Sequence, residues 1–424
     1  MSKFSIVDAF EGISSRMKEE KQTLQEYLSN LTIKVTDEDV DSKVDRLLYN
    51  HCVTKTEIRD ILQYHGKGVS RPTMNKILLD MEAKGEIEAP LIQSRSMLYN
   101  RYDLSVILEH FNIPKYEDDY EPMVIVVQNQ KGGTGKTTLV ITFAVKMAID
   151  TNTNAKVLVV DMDPQGSCAE YGRINDKDPE SVWLTMTDIL LRNHVEDSVY
   201  YQYKAQTGLS DEELIMEALL PSHLPNLWYL PAFPEDAEFS DIYASLPVEE
   251  QAKLLSEFHD VIVPILKTNF NLIVVDTPPS DSPITWAASN AADYFLLPLT
   301  PHMLDYSATE RFIQYMTVRW KQLPNKGENV KGFKCLTVNT ANNKKNVLSK
   351  IAKAFRSHLA SNYIAKSDLF VSASEMTRSI WDLQKTESIN HRYASASEYE
   401  KAIGTAQNAY DEVLRELQAL SAKN

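Results

Sequence analysis

The chain has 424 residues, enough for two or more domains, and its 43% hydrophobic and 24% charged side chains are ordinary for a globular protein in water. Its apolar runs are only strand-length and its start carries no charged-then-apolar leader, which excludes a bilayer span and a secretory signal and predicts a cytoplasmic location. The net charge of −15 excludes a uniformly basic nucleic-acid binder, but residues 331–424 hold 14 basic against 9 acidic side chains, and local basic surface is what meets phosphate.

Residues 4–35 are predicted as one helix. Ile6, Phe10, Ile13, Met17, Leu24, Tyr27 and Leu31 recur at alternating spacings of three and four, interrupted only by Glu20. Such a proline-free seam suits a short coiled coil or a docking helix, and equally a helix packed on its own chain. Residues 1–40 are assigned as an N-terminal dimerisation helix.

Residues 41–112 read as a compact helical module. Thr54 to Tyr64 is a helix with Ile58, Ile61 and Leu62 inward. After the turn at residues 65–68, Ser70 can cap a second helix that has Pro72 in its first turn and stops at Gly85. Met74, Ile77, Leu78 and Met81 form its apolar stripe; Arg71, Thr73, Asn75 and Lys76 face elsewhere. Two extended stretches follow, residues 86–92 and 97–102, separated by a turn containing Arg95. Helix, turn, helix and hairpin in that order predict a winged helix-turn-helix, with Arg71, Thr73, Asn75, Lys76 and Arg95 as DNA-contact candidates. A solvated helix face would show the same pattern.

Residues 113–121, with Pro114 and the cluster Glu117-Asp118-Asp119, read as a linker. From 122 to 424 strands alternate with helices. Strands are predicted at 124–127, 157–160, 227–230, 272–275, 294–297 and 334–338, mostly as continuous apolar runs, the signature of parallel strands covered on both faces. The fold class is therefore α/β, a doubly wound, mainly parallel sheet behind an N-terminal helix and a winged helix-turn-helix. Residues 174–220 look like acidic helical insertions, and residues 399–420 form a helix burying Ile403, Ala406, Tyr410, Val413, Leu414 and Leu417. The polar face of that helix lacks the basic residues a membrane-surface helix needs. Cys52, Cys168 and Cys335 are far apart in sequence, without metal-ligand spacing, and read as structural thiols.

The chemistry is concentrated in Lys131-Gly132-Gly133-Thr134-Gly135-Lys136-Thr137-Thr138. The run lies between the first of these strands and a helix, where backbone N–H groups cradle phosphates, Lys136 reaches the terminal phosphates and Thr137 can ligate Mg²⁺. The usual pattern wants glycine five residues before Gly135; that position is Gln130, and a second lysine, Lys131, opens the loop. Two further strands end in carboxylates, Asp161-Met162-Asp163-Pro164-Gln165-Gly166 and Asp276-Thr277-Pro278-Pro279. One carboxylate can orient an attacking water while others hold the metal and its water shell. A third strand ends in Asn339, an amide that can meet an adenine edge.

In order and in residues, these motifs resemble the deviant Walker A class of P-loop ATPases, the MinD/ParA class. With the N-terminal module in front, the chain resembles the large (type Ia) ParA partition ATPases that also repress their own operon. The resemblance covers roughly residues 122–400; that of the N-terminal part rests on architecture. It implies ATP and ADP as ligands, Mg²⁺ as cofactor, and a nucleotide-sandwich homodimer in which Lys131 reaches the partner's phosphates. Lys136 would hold the β- and γ-phosphates, Asp163 position the water, and Thr137, Asp161 and Asp276 serve the metal. The ATP dimer would bind nucleoid DNA without sequence preference, through C-terminal basic residues such as Lys344, Lys345, Arg356 and Arg378. A ParB-type centromere-binding partner would stimulate hydrolysis. Higher-order assembly on DNA stays open.

Another reading keeps the same parts but makes operator repression the main task and ATP or ADP the switch. A MinD-like membrane ATPase would need a basic, aromatic C-terminal helix face. An iron–sulfur carrier on this fold would need paired cysteines.

Overall fold

A computed structural model describes residues 12–20, 46–93, 96–172, 183–195, 198–341 and 344–423. The chain divides into two compact units, residues 1–64 with 68–110, and residues 111–424 with 65–67.

In the first unit Thr54 and Glu57 cap the helix Lys55–Tyr64 reciprocally: Thr54 N donates to Glu57 Oε2 at 2.7 Å, and Glu57 N donates to Thr54 Oγ1 at 3.2 Å. Ser70 Oγ accepts from Thr73 N at 3.3 Å to start the helix Arg71–Ala83. Ile58, Leu62, Met74, Leu78 and Met81 are buried, while Arg71, Thr73, Asn75 and Lys76 are exposed. Strands β1 (Val53–Thr54), β2 (Leu91–Gln93) and β3 (Ser96–Tyr99) form an antiparallel sheet in the order β1-β3-β2. The extended chain predicted to reach residue 102 stops earlier, because Asn100 Oδ1 accepts from Asp103 N at 2.8 Å and opens the helix Arg101–His110. Residues 12–20 are helical, with Ile13 and Met17 exposed. The other seam positions, Ile6, Phe10, Leu24, Tyr27 and Leu31, lie outside the described residues.

In the second unit, the stretch expected as a linker is packed rather than free. It carries the short helix Tyr116–Asp119, whose buried Tyr116 places its hydroxyl 3.3 Å from Ser421 Oγ, and Glu121 N donates to Ser421 O at 2.7 Å. Two buried apolar side chains, Ile113 and Tyr116, outweigh the acidic cluster beside them.

Seven strands build the main sheet: β4 (Met123–Val127), β5 (Val157–Asp161), β6 (Leu220–Pro221), β7 (Leu227–Leu230), β8 (Leu272–Asp276), β9 (Tyr294–Leu299) and β10 (Gly332–Thr337). Their order is β10-β9-β4-β8-β5-β7-β6, and every neighbouring pair is parallel except β6 with β7. All six predicted strands are present. The unpredicted β6 is two residues long and contains Pro221, tolerable at a sheet edge where the missing N–H costs no ladder bond.

Alternate residues feed two cores. Ile125, Val127, Val159 and Val274 pack with Phe143 and Tyr410 on one face; Val124, Val126, Val160 and Val275 pack with Phe258 and Phe312 on the other. This double burial is why the strands read as unbroken apolar runs. The helix Ala396–Ser421 buries Ala406, Tyr410, Val413 and Leu417. β4 lies between β8 and β9; the chain leaves β4 toward β5 on one side and leaves β9 toward β10 on the other, so the crevice at their C-terminal ends is the topological switch point. Among the described residues no helix is long and apolar enough to cross a membrane.

Candidate functional site

The glycine-rich run forms the turn at that switch point, between β4 and the helix Lys136–Ile149. Gly133 and Gly135 take φ of +74° and +76°, left-handed backbone that aims successive N–H groups into one concavity. The front of the loop is stapled by Asn129, which sequence reading missed. Its buried Oδ1 accepts from Lys131 N at 3.0 Å, and its Nδ2 donates to Pro298 O at 2.8 Å and Thr309 Oγ1 at 3.2 Å.

The two lysines of the run are placed differently. Lys136 is buried, at 7% exposure, inside the cradle. Lys131 is exposed at the lip, and its ammonium has no hydrogen-bond or ion-pair partner among the described residues.

Three carboxylates gather below. Asp161 and Asp276 end adjacent strands as register partners. Thr137 Oγ1 donates to Asp276 Oδ2 at 2.6 Å, while Asp276 Oδ1 is buried with no hydrogen-bond partner among the described residues. Asp161 Oδ1 accepts from Asp163 N at 3.0 Å and its Oδ2 from Cys168 N at 2.9 Å. Asp163 is half-buried and accepts from Gln165 N at 3.0 Å.

Burial dominates the electrostatics. It raises the Asp161 carboxyl well above its ordinary value, and the Asp276 charge adds to the push. It lifts Asp276 to about 6, against the Thr137 hydrogen bond and the Lys136 charge, which pull it down. It lowers the Lys136 ammonium, against Asp276 and Asp163, which raise it. The unpartnered Asp276 oxygen, beside the oxygens of Thr137 and Asp161, is a donor set that fits a hard cation such as Mg²⁺.

A pH dependence follows. Folded Asp276 keeps its proton to about 6, whereas an ordinary aspartate releases it at 3.8. The folded state therefore binds more protons between those values, and the nucleotide-free protein loses stability as pH rises through that window. A gap of about two units is worth roughly 3 kcal/mol. Asp276→Asn is expected to raise the urea midpoint at neutral pH and to flatten its pH dependence. An unchanged or lowered midpoint would count against this charge balance.

Beside the cradle lies a cavity of about 300 Å³, lined by Gly135, Thr138, Asn339, Ser367, Phe370 and Tyr410 among others. It is at the small end of the range for ligand pockets. Sequence reading reached Asn339 but missed Ser367, Phe370 and Tyr410, which come from segments distant in the chain. The loop after Asp276 is tied down at Asp281, which accepts from Trp286 Nε1 and the Tyr315 hydroxyl. The Arg319 guanidinium lies 3.5 Å from Asp281 and 3.8 Å from the Trp286 ring centroid.

The expected DNA contacts are divided between the two units. Arg71, Thr73, Asn75 and Lys76 are exposed in the first unit, and Arg95 lies outside the described residues. In the second unit Lys344, Lys345 and Arg356 belong to or flank the helix Lys345–Phe355, which also exposes Lys350 and Lys353, both missed, while burying Ile351. Arg378 must be corrected. It is 7% exposed and pairs with buried Glu387 at 3.5 Å, so it cannot reach DNA.

A strand, a glycine turn closing on a helix N-terminus and carboxylates at two neighbouring strand ends define a P-loop protein of the doubly wound type. A family profile described as an AAA domain matches residues 122–326. The plasmid partition protein A of Escherichia coli is 24% identical over 268 residues, 61% of this chain and 63% of that protein. The chromosome partitioning protein ParA of Myxococcus xanthus is 29% identical over 191 residues, 45% of this chain and 56% of that one. The chain thus spans less than two thirds of either relative. A solved structure described as a partition protein shares the fold, with a TM-score of 0.62 and 15% identity over 98% of this chain and 99% of that one. In sequence the chain is thus similar to partition proteins over part of its length, and in fold it is similar to a solved partition protein.

Proposed function

We propose that the chain is an ATP-hydrolysing DNA-partition protein that dimerises on ATP and binds nucleoid DNA in that state. A centromere-bound ParB-type partner releases it by stimulating hydrolysis. The observation that carries this reading is the pair of lysines: Lys136 buried in the cradle, and Lys131 exposed and unpaired at its lip. A cation held out from its own loop suits phosphates bound by a second copy of the chain. Phosphoryl transfer needs such charge, because negative charge spreads over the γ-phosphoryl oxygens as the bond breaks.

In this reading the backbone N–H groups of residues 132–137 and the Lys136 ammonium hold the β- and γ-phosphates, and Asn339 and the adjoining cavity receive the base. Asp163 orients the water that attacks the γ-phosphorus, and ADP leaves. Thr137 and Asp276, with Asp161 behind them, would hold Mg²⁺, which neutralises phosphate charge when bound. Because Lys131 comes from the other protomer, hydrolysis follows dimer formation and the nucleotide acts as a timer.

The second unit meets DNA through the face carrying Lys345, Lys350, Lys353 and Arg356. Such contacts release counterions, so ATP-dependent binding to random DNA is expected to weaken steeply with salt, with a log–log slope of roughly −3 to −4 for four phosphate contacts. Filter binding at several salt concentrations checks it, and a flat line would remove the phosphate-contact model. The first unit is proposed as a winged helix-turn-helix that reads the protein's own operator. The exposed polar face of the helix Arg71–Ala83 favours that addition, and keeps open a repressor for which ATP or ADP is chiefly a switch.

One assay separates these readings: binding to random and to operator DNA with ATP, with ADP and without nucleotide. Binding to random DNA that requires ATP supports the partition reading. Operator binding alone, in any nucleotide state, favours the repressor, and no DNA binding overturns both.

A further inference from the structure

The fold brings together what the spacing of the cysteines in sequence did not. Gly166 adopts φ +64°, and a Cβ there would meet Ala232 O at 2.4 Å, so the loop after Asp163 is pressed against the chain that follows β7. This turns Cys168 inward. The thiol is fully buried, with its Sγ 3.9 Å from Asp276 Oδ2, while Cys168 N donates to Asp161 Oδ2 at 2.9 Å. One donor atom each from Asp161, Cys168 and Asp276 lie within 4.8 Å of one another. Independently of the thiol, Asp276 Oδ1 is buried without a hydrogen-bond partner among the described residues.

We propose that Asp161, Cys168 and Asp276 form a binding site for a thiophilic divalent cation, Zn²⁺ or Cd²⁺, beside the hard-cation position at Thr137. Ligands bound to one ion at about 2.0–2.3 Å stand no more than about 4.6 Å apart, so small side-chain movements suffice to close the site. Two carboxylates and one sulfur suit zinc-like ions, whereas Mg²⁺ prefers an all-oxygen octahedron and gains nothing from sulfur. On binding, the thiol and any carboxyl still protonated release their protons to solvent, and the sulfur bonds the metal as thiolate beside the two carboxylates, with no change of oxidation state. An ion held here engages Asp276, the acceptor of the Thr137 hydroxyl. The site is therefore a brake by which a soft metal withdraws Asp276 from the nucleotide's cation. The metal site rests on this pocket alone; its action as a brake rests on the proposed nucleotide site.

The test is a Cd²⁺ titration of the full chain without nucleotide, followed by ultraviolet difference absorption, where cadmium–thiolate bonds give a charge-transfer band. The expected result is a saturable band in the wild type that is absent from Cys168→Ser. Asp161→Asn keeps the thiol and is expected to weaken Cd²⁺ binding at least tenfold, which keeps the test decisive even where Cys168→Ser fails to fold. No band in the wild type, a band that survives in folded Cys168→Ser, or unchanged affinity in Asp161→Asn overturns the site.

Discussion

Lys131→Ala is expected to lower the rate of ATP hydrolysis by about 10³-fold or more, the scale of a cation supplied from a second chain, while leaving nucleotide affinity within a few-fold. Lys136, the glycine turn and the Asp161–Asp276 pair stay intact, and among the described residues the exposed Lys131 ammonium has no hydrogen bond or ion pair to lose. Phosphate release and equilibrium nucleotide titration read the two effects separately. Mixing decides where the lysine acts. A Lys131→Ala protomer keeps its own Asp163, and an Asp163→Ala protomer keeps its own Lys131. Across a two-fold dimer, the site of the Lys131→Ala protomer then has its own aspartate and its partner's lysine, and works. With equal amounts and free exchange, half the dimers are mixed and one of their two sites is complete, giving about a quarter of the wild-type rate. A lysine serving its own site gives no rescue, so a dead mixture would refute the cross-dimer role.

What could be read in advance follows from how local each signal is. β4, β5 and β8 are runs of Val, Ile and Leu buried on both faces, so composition alone located them. The cradle was equally open to reading, because residues 131–138 supply its backbone and its cation from one contiguous stretch. The cavity beside it was not. Asn339, Phe370 and Tyr410 meet only because the end of β10, the helix Asp368–Glu375 and the helix Ala396–Ser421 pack near the helix Lys136–Ile149. Arg378 was misjudged for a related reason: an arginine in a basic segment looks like surface until Glu387, nine positions later, is found buried against it. Cys168 was discounted on spacing in sequence, yet strand register put the two carboxylates near it together.

Asp163 shows where local reading is enough and where it stops. Its position two residues past Asp161, at the end of a buried strand, marked it for water positioning. Only part of what holds it is local to that motif. Asp161 takes its backbone N–H, and Gly166 allows the loop to pass within contact of Ala232 O, a carbonyl beyond β7. The candidate site is therefore a set of contiguous chemical groups whose precision comes from distant partners.

Removing residues 1–112 is expected to abolish operator binding while leaving ATP binding and ATP-dependent association with random DNA within a few-fold. The cut leaves the second unit with its own sheet, both faces of its core and every residue of the cradle. It also keeps Tyr116 and Glu121, through which residues 113–121 are held to the helix Ala396–Ser421. A finer variant separates base reading from folding. Arg71→Ala with Lys76→Ala removes two exposed cations from the helix Arg71–Ala83 without touching buried Met74, Leu78 or Met81. If those side chains meet a base edge and a phosphate, operator affinity falls by roughly 10- to 100-fold or more, at about 1–3 kcal/mol for a base contact, and hydrolysis does not change. Footprinting on the operator reads both variants. An operator footprint retained by the truncated chain would move sequence recognition into the second unit, and the face of Arg71 and Lys76 would then be ordinary solvated surface.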